Sequence, residues 1–471
     1  MQAHGRRPKT PRDRLTAHRA ADFPHGQRPA PARSGKSLAG PPSPDREAPL
    51  RRRQPSRNEP FIIPFHPSVG PPTVSFAPLR LKRNEERRLR AGHLWVFSNE
   101  VDIAATPLTA FSPGQLVTVE SSRGGPLGTA YVNPRSLICA RLLSRRVLGN
   151  ADAVTALLQR RLADALTLRQ RLYRTPHYRL VHAEGDGLPG LVVDRYGDHL
   201  VMQVSTAGME ALRDAIVGAL VELLRPAGIL ARNDGFGREL EGLETGEPQV
   251  LYGSVPEFGQ VLEGGLDFTV PLHGGQKSGW YFDQRPNRER LRAYVGDGRV
   301  LDAFSYVGAW GLQAAAAGAR QVICVDASAP ALALLDSNAQ HNGLGETVES
   351  RQGDAFDVLA SLLDAGERFD LVAVDPPAFI KRKRDAEAGM EAYQRLNRLA
   401  MQLVVPGGFL VSASCSHHLP EADFRDLLRR AALPLNRRLQ MLERGHQGAD
   451  HPQMPGMPEA DYLKVAFCRV L

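Results

Sequence analysis

Arg299-Val300-Leu301-Asp302-Ala303-Phe304-Ser305-Tyr306-Val307-Gly308-Ala309-Trp310-Gly311 is the stretch on which the reading of this 471-residue chain turns. A short apolar run ends in an acid and passes through a loop holding two glycines and two aromatic residues. It then opens into the alanine-rich segment Ala314–Ala317, which stops at Gly318. Strand, glycine-bearing loop and helix, in that order, predict the first unit of a doubly wound parallel sheet. Gln321–Val325 follows as a second strand and ends in Asp326, 24 residues after Asp302. The layout is that of a nucleoside site: glycines let the backbone approach a ligand, and the acid closing the second strand accepts ribose hydroxyls.

A dinucleotide fingerprint would be Gly-x-Gly-x-x-Gly, setting a pyrophosphate on the helix N-terminus. Here only Gly308 and Gly311 are present, with Asp302 ahead of them and Phe304 and Tyr306 between. A carboxylate at that position repels a pyrophosphate and suits the ammonium of a methionine moiety, so the residues favour S-adenosylmethionine over NAD. Gly353-Asp354-Ala355-Phe356 follows the third strand, where Asp354, with Ala355 beside it, offers a carboxylate to an adenine amino group. The apolar strand from Phe369 then delivers Asp375-Pro376-Pro377-Ala378-Phe379 to the carboxyl edge of the sheet. Two prolines stiffen that loop and leave carbonyls unpaired. Asp-Pro-Pro with a following aromatic points to methyl transfer onto a base, with Asp375, Pro376, Pro377 and Phe379 at the substrate.

Gly407-Gly408 leads strand Phe409–Ala413, which ends in Ser414-Cys415-Ser416-His417-His418. This strand is expected beside that of Asp375, so Cys415 faces the same cleft. Cys139, Cys324 and Cys468 lie inside apolar runs and read as core; Cys415 alone sits in a polar loop where a thiolate can act. Carbon 5 of a pyrimidine is a poor nucleophile until a thiolate adds at carbon 6, and Asp375 can stabilise the charge that then develops. Amine methylation needs no cysteine. Adjacent His417 and His418 are poor geometry for one metal, and no metal is expected. Lys381-Arg382-Lys383-Arg384, directly after the Asp-Pro-Pro loop, are candidate phosphate contacts.

Upstream, residues 151–174 read as a helix with Val154, Leu157, Leu158, Leu162 and Leu166 on one face. Strands and a helix near 209–224 complete a mixed α+β unit without a catalytic constellation. Residues 79–150 read as short strands with turns at Ser112-Pro113-Gly114 and Arg123-Gly124-Gly125. The net charge of +8 is uneven: residues 1–60 carry a net +9, residues 79–150 a net +6 and residues 151–471 a net −7. The basic module therefore suits a nucleic-acid partner. Residues 1–60 hold 11 of the 36 prolines and no Ile, Val, Trp or Tyr, so residues 1–78 are expected to be a disordered tail. After Met1 the next methionine is Met202; a shorter natural product would begin at a non-AUG codon, for instance near Val69 or Val74. Pro8, Pro11 and Asp13 break the helix an organellar presequence needs. No run approaches the roughly 18 apolar residues of a membrane span, and four scattered cysteines without a CxxC pair fit a cytoplasmic setting.

Four segments together resemble the ribosomal RNA large subunit methyltransferase I family. They are Asn84–Glu100 with Gly92-His93, the run Gly274-Gly275-Gln276-Lys277-Ser278-Gly279-Trp280-Tyr281-Phe282-Asp283-Gln284-Arg285, the Asp375–Phe379 loop and Ser414–His418. The resemblance spans about residues 79–471 and implies an S-adenosylmethionine-dependent 23S rRNA cytosine-C5 methyltransferase. It implies an N-terminal PUA domain (79–150), a central EEHEE-type α+β domain (151–272) and a C-terminal Rossmann-like methyltransferase domain (273–471). Arg87, Arg88 and His93 then become RNA contacts, and Gln276, Ser278, Tyr281 and Asp283 come near the cofactor. The nucleophile by this resemblance is Cys415. Pro377 stands where the two-cysteine class of RNA cytosine-C5 methyltransferases has a release cysteine, so the base for the carbon-5 proton stays open. Two alternatives also stay open: an RNA guanine-N2 or adenine-N6 methyltransferase without a covalent intermediate, and a non-catalytic RNA-binding ribosome assembly factor. The partner expected is 23S rRNA, free or partly assembled, with a homodimer a further option.

Overall fold

Strand Arg299–Ala303 (β1) is the centre of the architecture. In the computed structural model, which describes residues 76–471, it is followed by Gln321–Asp326 (β2), Val348–Gln352 (β3), Phe369–Val374 (β4) and Val404–Ser414 (β5). Leu439–Gly445 (β6) and Lys464–Val470 (β7) close the sheet in the order β3-β2-β1-β4-β5-β7-β6. Strands β1 to β5 pair in parallel, and β7 runs antiparallel to both of its neighbours. Both faces are covered, as the near-continuous apolar runs of β1, β2 and β4 require. Leu291, Leu312 and Leu335 pack on one face with Val300 and Val322. Leu359, Leu396 and Phe424 pack on the other with Leu301, Ile323 and Val372. The strand order reverses between β1 and β4, so a crevice opens at their carboxyl ends, the expected place for a ligand.

The helix over Ala151–Leu172 starts where the Asn150 side chain accepts the Ala153 amide, and it buries the five predicted leucine and valine positions. Its sheet contains the run Leu191–Tyr196, His199–Val204, a helical segment, Gly228–Ala231 and Gln249–Gly253, with His177–His182 added at the edge. The helix expected near 209–224 is broken at Leu212 into Ala207–Ala211 and Arg213–Leu224. A separate hairpin, Phe258–Glu263 with Leu266–Pro271, leads into the long sheet.

The basic module is a five-stranded sheet ordered Ala77–Arg80, Gln115–Glu120, Pro126–Val132, Ala140–Ser144, Trp95–Val96. The strand Ala140–Ser144 begins only after the exposed Leu137 and the buried Cys139. The tail expected over 1–78 lies outside the described residues except for its last three. There the expectation is corrected: Ala77–Arg80 pairs in parallel with Val117–Glu120, and Leu79 is fully buried. No helix among the described residues is long and apolar enough to cross a membrane.

The connection from β6 to β7, residues 446–463, reaches both other modules. Arg169 donates to the Asp450 carbonyl at 2.7 Å, and the Arg179 amide donates to the Asp450 carboxylate at 3.0 Å. Glu459 faces His93 at 3.3 Å. Backbones meet so closely that a Cβ on Gly456 would stand 2.7 Å from the Gly92 carbonyl carbon, and one on Gly185 would stand 2.0 Å from the Pro452 oxygen. Only glycine permits such an approach.

Candidate active site

Asp326, at the end of β2, builds the loop that follows β1. One of its oxygens accepts the Tyr306 amide and the other the Ser328 amide, each at 2.9 Å. Phe304 and Tyr306 take left-handed backbone conformations, with φ of 67° and 50°. Such conformations are strained for residues with a Cβ and persist where the surroundings hold them. Here the holding groups are the Asp326 carboxylate and the Val325 carbonyl, which accepts the Phe304 amide at 2.8 Å.

Asp302 lies beneath the loop, 1% exposed. Its Oδ2 accepts the Gly311 amide at 2.9 Å, while its Oδ1 has no partner. Burial pushes its carboxyl up to about 8, with Asp375 and Asp326 adding repulsion. Gly311 has to be glycine, since a Cβ there would stand 2.3 Å from Cys324 Sγ.

In front of this loop lies a cavity of about 450 Å³. Of the residues expected at the cofactor, Phe304, Tyr306, Asp326, Asp354, Ala355 and Asp375 line it, as do Gln276, Tyr281 and Asp283. Pro376, Pro377 and Cys415 line it too. Asp354 also caps the helix Ala355–Asp364, accepting the Phe356 amide at 2.9 Å.

The remaining expected residues stand elsewhere. Asp302 is behind the wall, and Gly308 shapes the turn as the left-handed cap of helix Ala309–Ala316. Ser278 is buried away from the cavity, its hydroxyl donating to Asp194, so it serves the core. Phe379 packs on Tyr393, with ring centroids 4.7 Å apart. Lys381, Arg382, Lys383 and Arg384 are exposed outside the cavity. Arg87 is exposed, whereas Arg88 is ion-paired to Glu100 at 3.0 Å. His93 is corrected most plainly. It is 6% exposed, its Nδ1 accepts the Trp95 amide at 3.1 Å, and it faces Glu459, so it fastens two modules and has no face left for RNA.

Sequence reasoning missed the groups that hold Asp375 and surround Cys415. Asp375 Oδ2 accepts Gln284 Nε2 at 2.9 Å and the Trp310 indole N–H at 3.1 Å, and burial raises its carboxyl to about 6. Both donors lie within the motifs that drew attention, but nothing in their spacing announces the contact. Lys277 pairs with Asp283 at 2.9 Å and lies 4.1 Å from the centre of the Tyr281 ring. Against the desolvation of burial, Lys277, His451 and Tyr462 hold the Asp283 carboxyl well below the usual range. Burial pushes the Cys415 thiol up to about 11; the Lys277 ammonium opposes this, while Asp375 and Asp283 reinforce it. The turn after Cys415 is fastened twice. Lys464 Nζ donates to the Ser416 carbonyl at 2.7 Å, and Ser416 Oγ accepts the Ile380 amide at 3.1 Å.

The unpartnered Asp283 Oδ1 and Ser305 Oγ belong to residues of the cavity wall and call for a ligand with polar hydrogens. Asp326 and Asp354 add carboxylates for hydroxyl and amino groups, and Phe304 and Ala355 give apolar surface. A nucleoside carrying an ammonium answers that set, so the residues fit S-adenosylmethionine.

Two family models match the chain. A PUA-like domain covers residues 79–145, and an S-adenosylmethionine-dependent methyltransferase covers residues 245–467. Ribosomal RNA large subunit methyltransferase I of Klebsiella pneumoniae subsp. pneumoniae is 36% identical over 401 residues, covering 84% of this chain and 99% of its own. The protein of the same name from Photobacterium profundum is 37% identical over 395 residues, covering 83% and 98%. The solved structure of a candidate methyltransferase from Streptococcus mutans shares the fold at a TM-score of 0.71 and 21% identity, covering 83% of this chain and all of its own. SMU.776, a candidate methyltransferase solved in complex with SAH, aligns at a TM-score of 0.72 and 21% identity over the same shares.

Proposed function

Because this chain belongs to the ribosomal RNA large subunit methyltransferase I family, we propose that it methylates carbon 5 of a cytosine in 23S rRNA through a covalent bond to Cys415. One observation carries the reading: Cys415 and Asp375 open on one cavity, together with the carboxylates that fit the methyl donor. Asp326 and Asp354, which line the cavity, are the residues that would hold S-adenosylmethionine, with Asp302 supporting the loop from behind. That cofactor, when bound, supplies an electrophilic methyl group on a sulfonium.

The chain's own groups do the rest. The free Cys415 is a neutral thiol at pH 7, since burial holds it near 11. As the ring is engaged its proton passes to N3 by way of the Asp375 carboxylate, and its sulfur bonds to carbon 6, opening the 5,6 double bond and moving electron density onto carbon 5. Asp375 is placed by Gln284 and Trp310 to meet N3 and the exocyclic amine as that density develops. Methylation at carbon 5, loss of its proton and breaking of the sulfur–carbon bond complete the cycle. The cytosine has to leave its stack to reach the cavity, so unpaired or flipped rRNA is the substrate. The basic PUA-like module holds surrounding RNA through phosphates and shape.

Cys415→Ala should abolish methyl transfer while binding S-adenosylmethionine as the wild type does in calorimetry. RNA containing 5-fluorocytosine should leave a denaturation-resistant adduct with the wild type alone. Transfer retained by the variant, or no adduct with the wild type, would favour amine methylation and refute the covalent route.

A further inference from the structure

A second cavity lies next to the one that holds the reacting groups. It is an open groove of about 1060 Å³ between helix Glu421–Ala432, strand β6 and residues 446–464. The two are adjacent. Leu463 lines both, and His417, two residues past Cys415, lines the groove. The fastened turn Cys415-Ser416-His417 is therefore the partition between them.

We propose that this groove carries the single-stranded RNA flanking the target nucleotide, an inference that rests on the methyltransferase reading above. A base turned into the cavity brings its neighbouring nucleotides to the far side of that partition, where the groove lies. Its walls have the chemistry a strand needs. Arg425 is exposed and unpartnered, and Arg444 is tied only to Glu421 in a solvent-exposed pair, which holds it weakly. Both guanidinium groups are free to meet phosphates. The exposed imidazoles of His417 and His446 offer flat faces on which bases stack. The floor is apolar, with Leu419, Phe424 and Val465 all buried. Glu421, paired to Arg444, and Asp461 are the acids in the wall, and Arg425 is the cation with no acid of its own.

The test uses the full chain and 23S rRNA transcribed in vitro, reading binding across a salt series and methyl transfer in the same samples. Arg425→Glu with Arg444→Glu changes two exposed side chains. The pair should weaken RNA binding at least tenfold and lower the slope of log Kd against log salt by about 1.4, at about 0.7 for each phosphate of a single strand that is no longer neutralised. S-adenosylmethionine binding should not move. An unchanged slope in a variant whose wild type methylates the RNA would overturn the groove and leave the enzyme reading intact. A wild type that methylates no RNA would overturn both. Variants that bind naked RNA normally but fail on partly assembled large subunits would assign the groove to a protein, which also overturns the proposal.

Discussion

Asp302 carries a strain that falls on the fold. Its carboxyl is buried with one oxygen unpartnered and sits near 8, far above the value of about 4 for an unfolded chain. A raised pKa means stability that is fully present below about pH 4 and lost as pH rises through 8. Asp302→Asn should therefore raise the melting temperature of the ligand-free protein by several degrees at pH 8–9 and hardly change it at pH 4. Equal melting curves at pH 9 would show that the carboxylate is solvated and not strained. Cys415 gives a second residue-scale outcome. With its thiol near 11, alkylation by iodoacetamide in the ligand-free protein should climb without levelling from pH 7 to 10. A plateau near pH 8 would contradict that. Sequence position was enough to single out Asp302, Asp326, Asp375 and Cys415. It could not say which of them are desolvated, nor that Ser278 and His93 are buried, because burial is decided by segments far away in the chain.

Helix Ala309–Ala316 begins against β1 and β2 with no space to spare. A Cβ on Gly311 would press on Cys324 Sγ at 2.3 Å and on Asp302 at 3.2 Å. Gly311→Ala should cost about 1–3 kcal/mol in urea unfolding, the usual range for overpacking. Adding Cys324→Ala removes the sulfur and should return part of that loss, a coupling that neighbours show and distant sites do not. Strict additivity of the two changes would argue that the helix start simply shifts. The β/α alternation from β1 to β5 was legible because buried parallel strands read as apolar runs between helices. Helix Arg285–Val295 and strand β6 were not. The helix opens Arg285-Pro286-Asn287-Arg288-Glu289-Arg290 and yet buries Asn287 and Arg288, the latter paired to Glu263 at 2.6 Å. Strand β6 is an edge whose five central residues are exposed, so its sequence has no buried face to alternate with.

Across the whole chain, net charge conceals a division of labour, with the +6 of residues 79–150 set beside the −7 of residues 151–471. The further +9 lies in residues 1–60. Removing residues 1–75, ahead of the first strand, should reduce the salt dependence of rRNA binding while kcat and KM for S-adenosylmethionine stay within twofold. A fall in kcat would give that segment a part in the reaction. The link through Gly92, His93, Glu459 and Gly456 has a consequence for how a target is chosen. Because the PUA-like module is fastened to the same connection that runs on to Tyr462 and Lys464 beside Cys415, the span between that module and the sulfur is held, as between the jaws of a caliper. On the function proposed above, that fixed span would make distance from the gripped contour the thing that selects the target base.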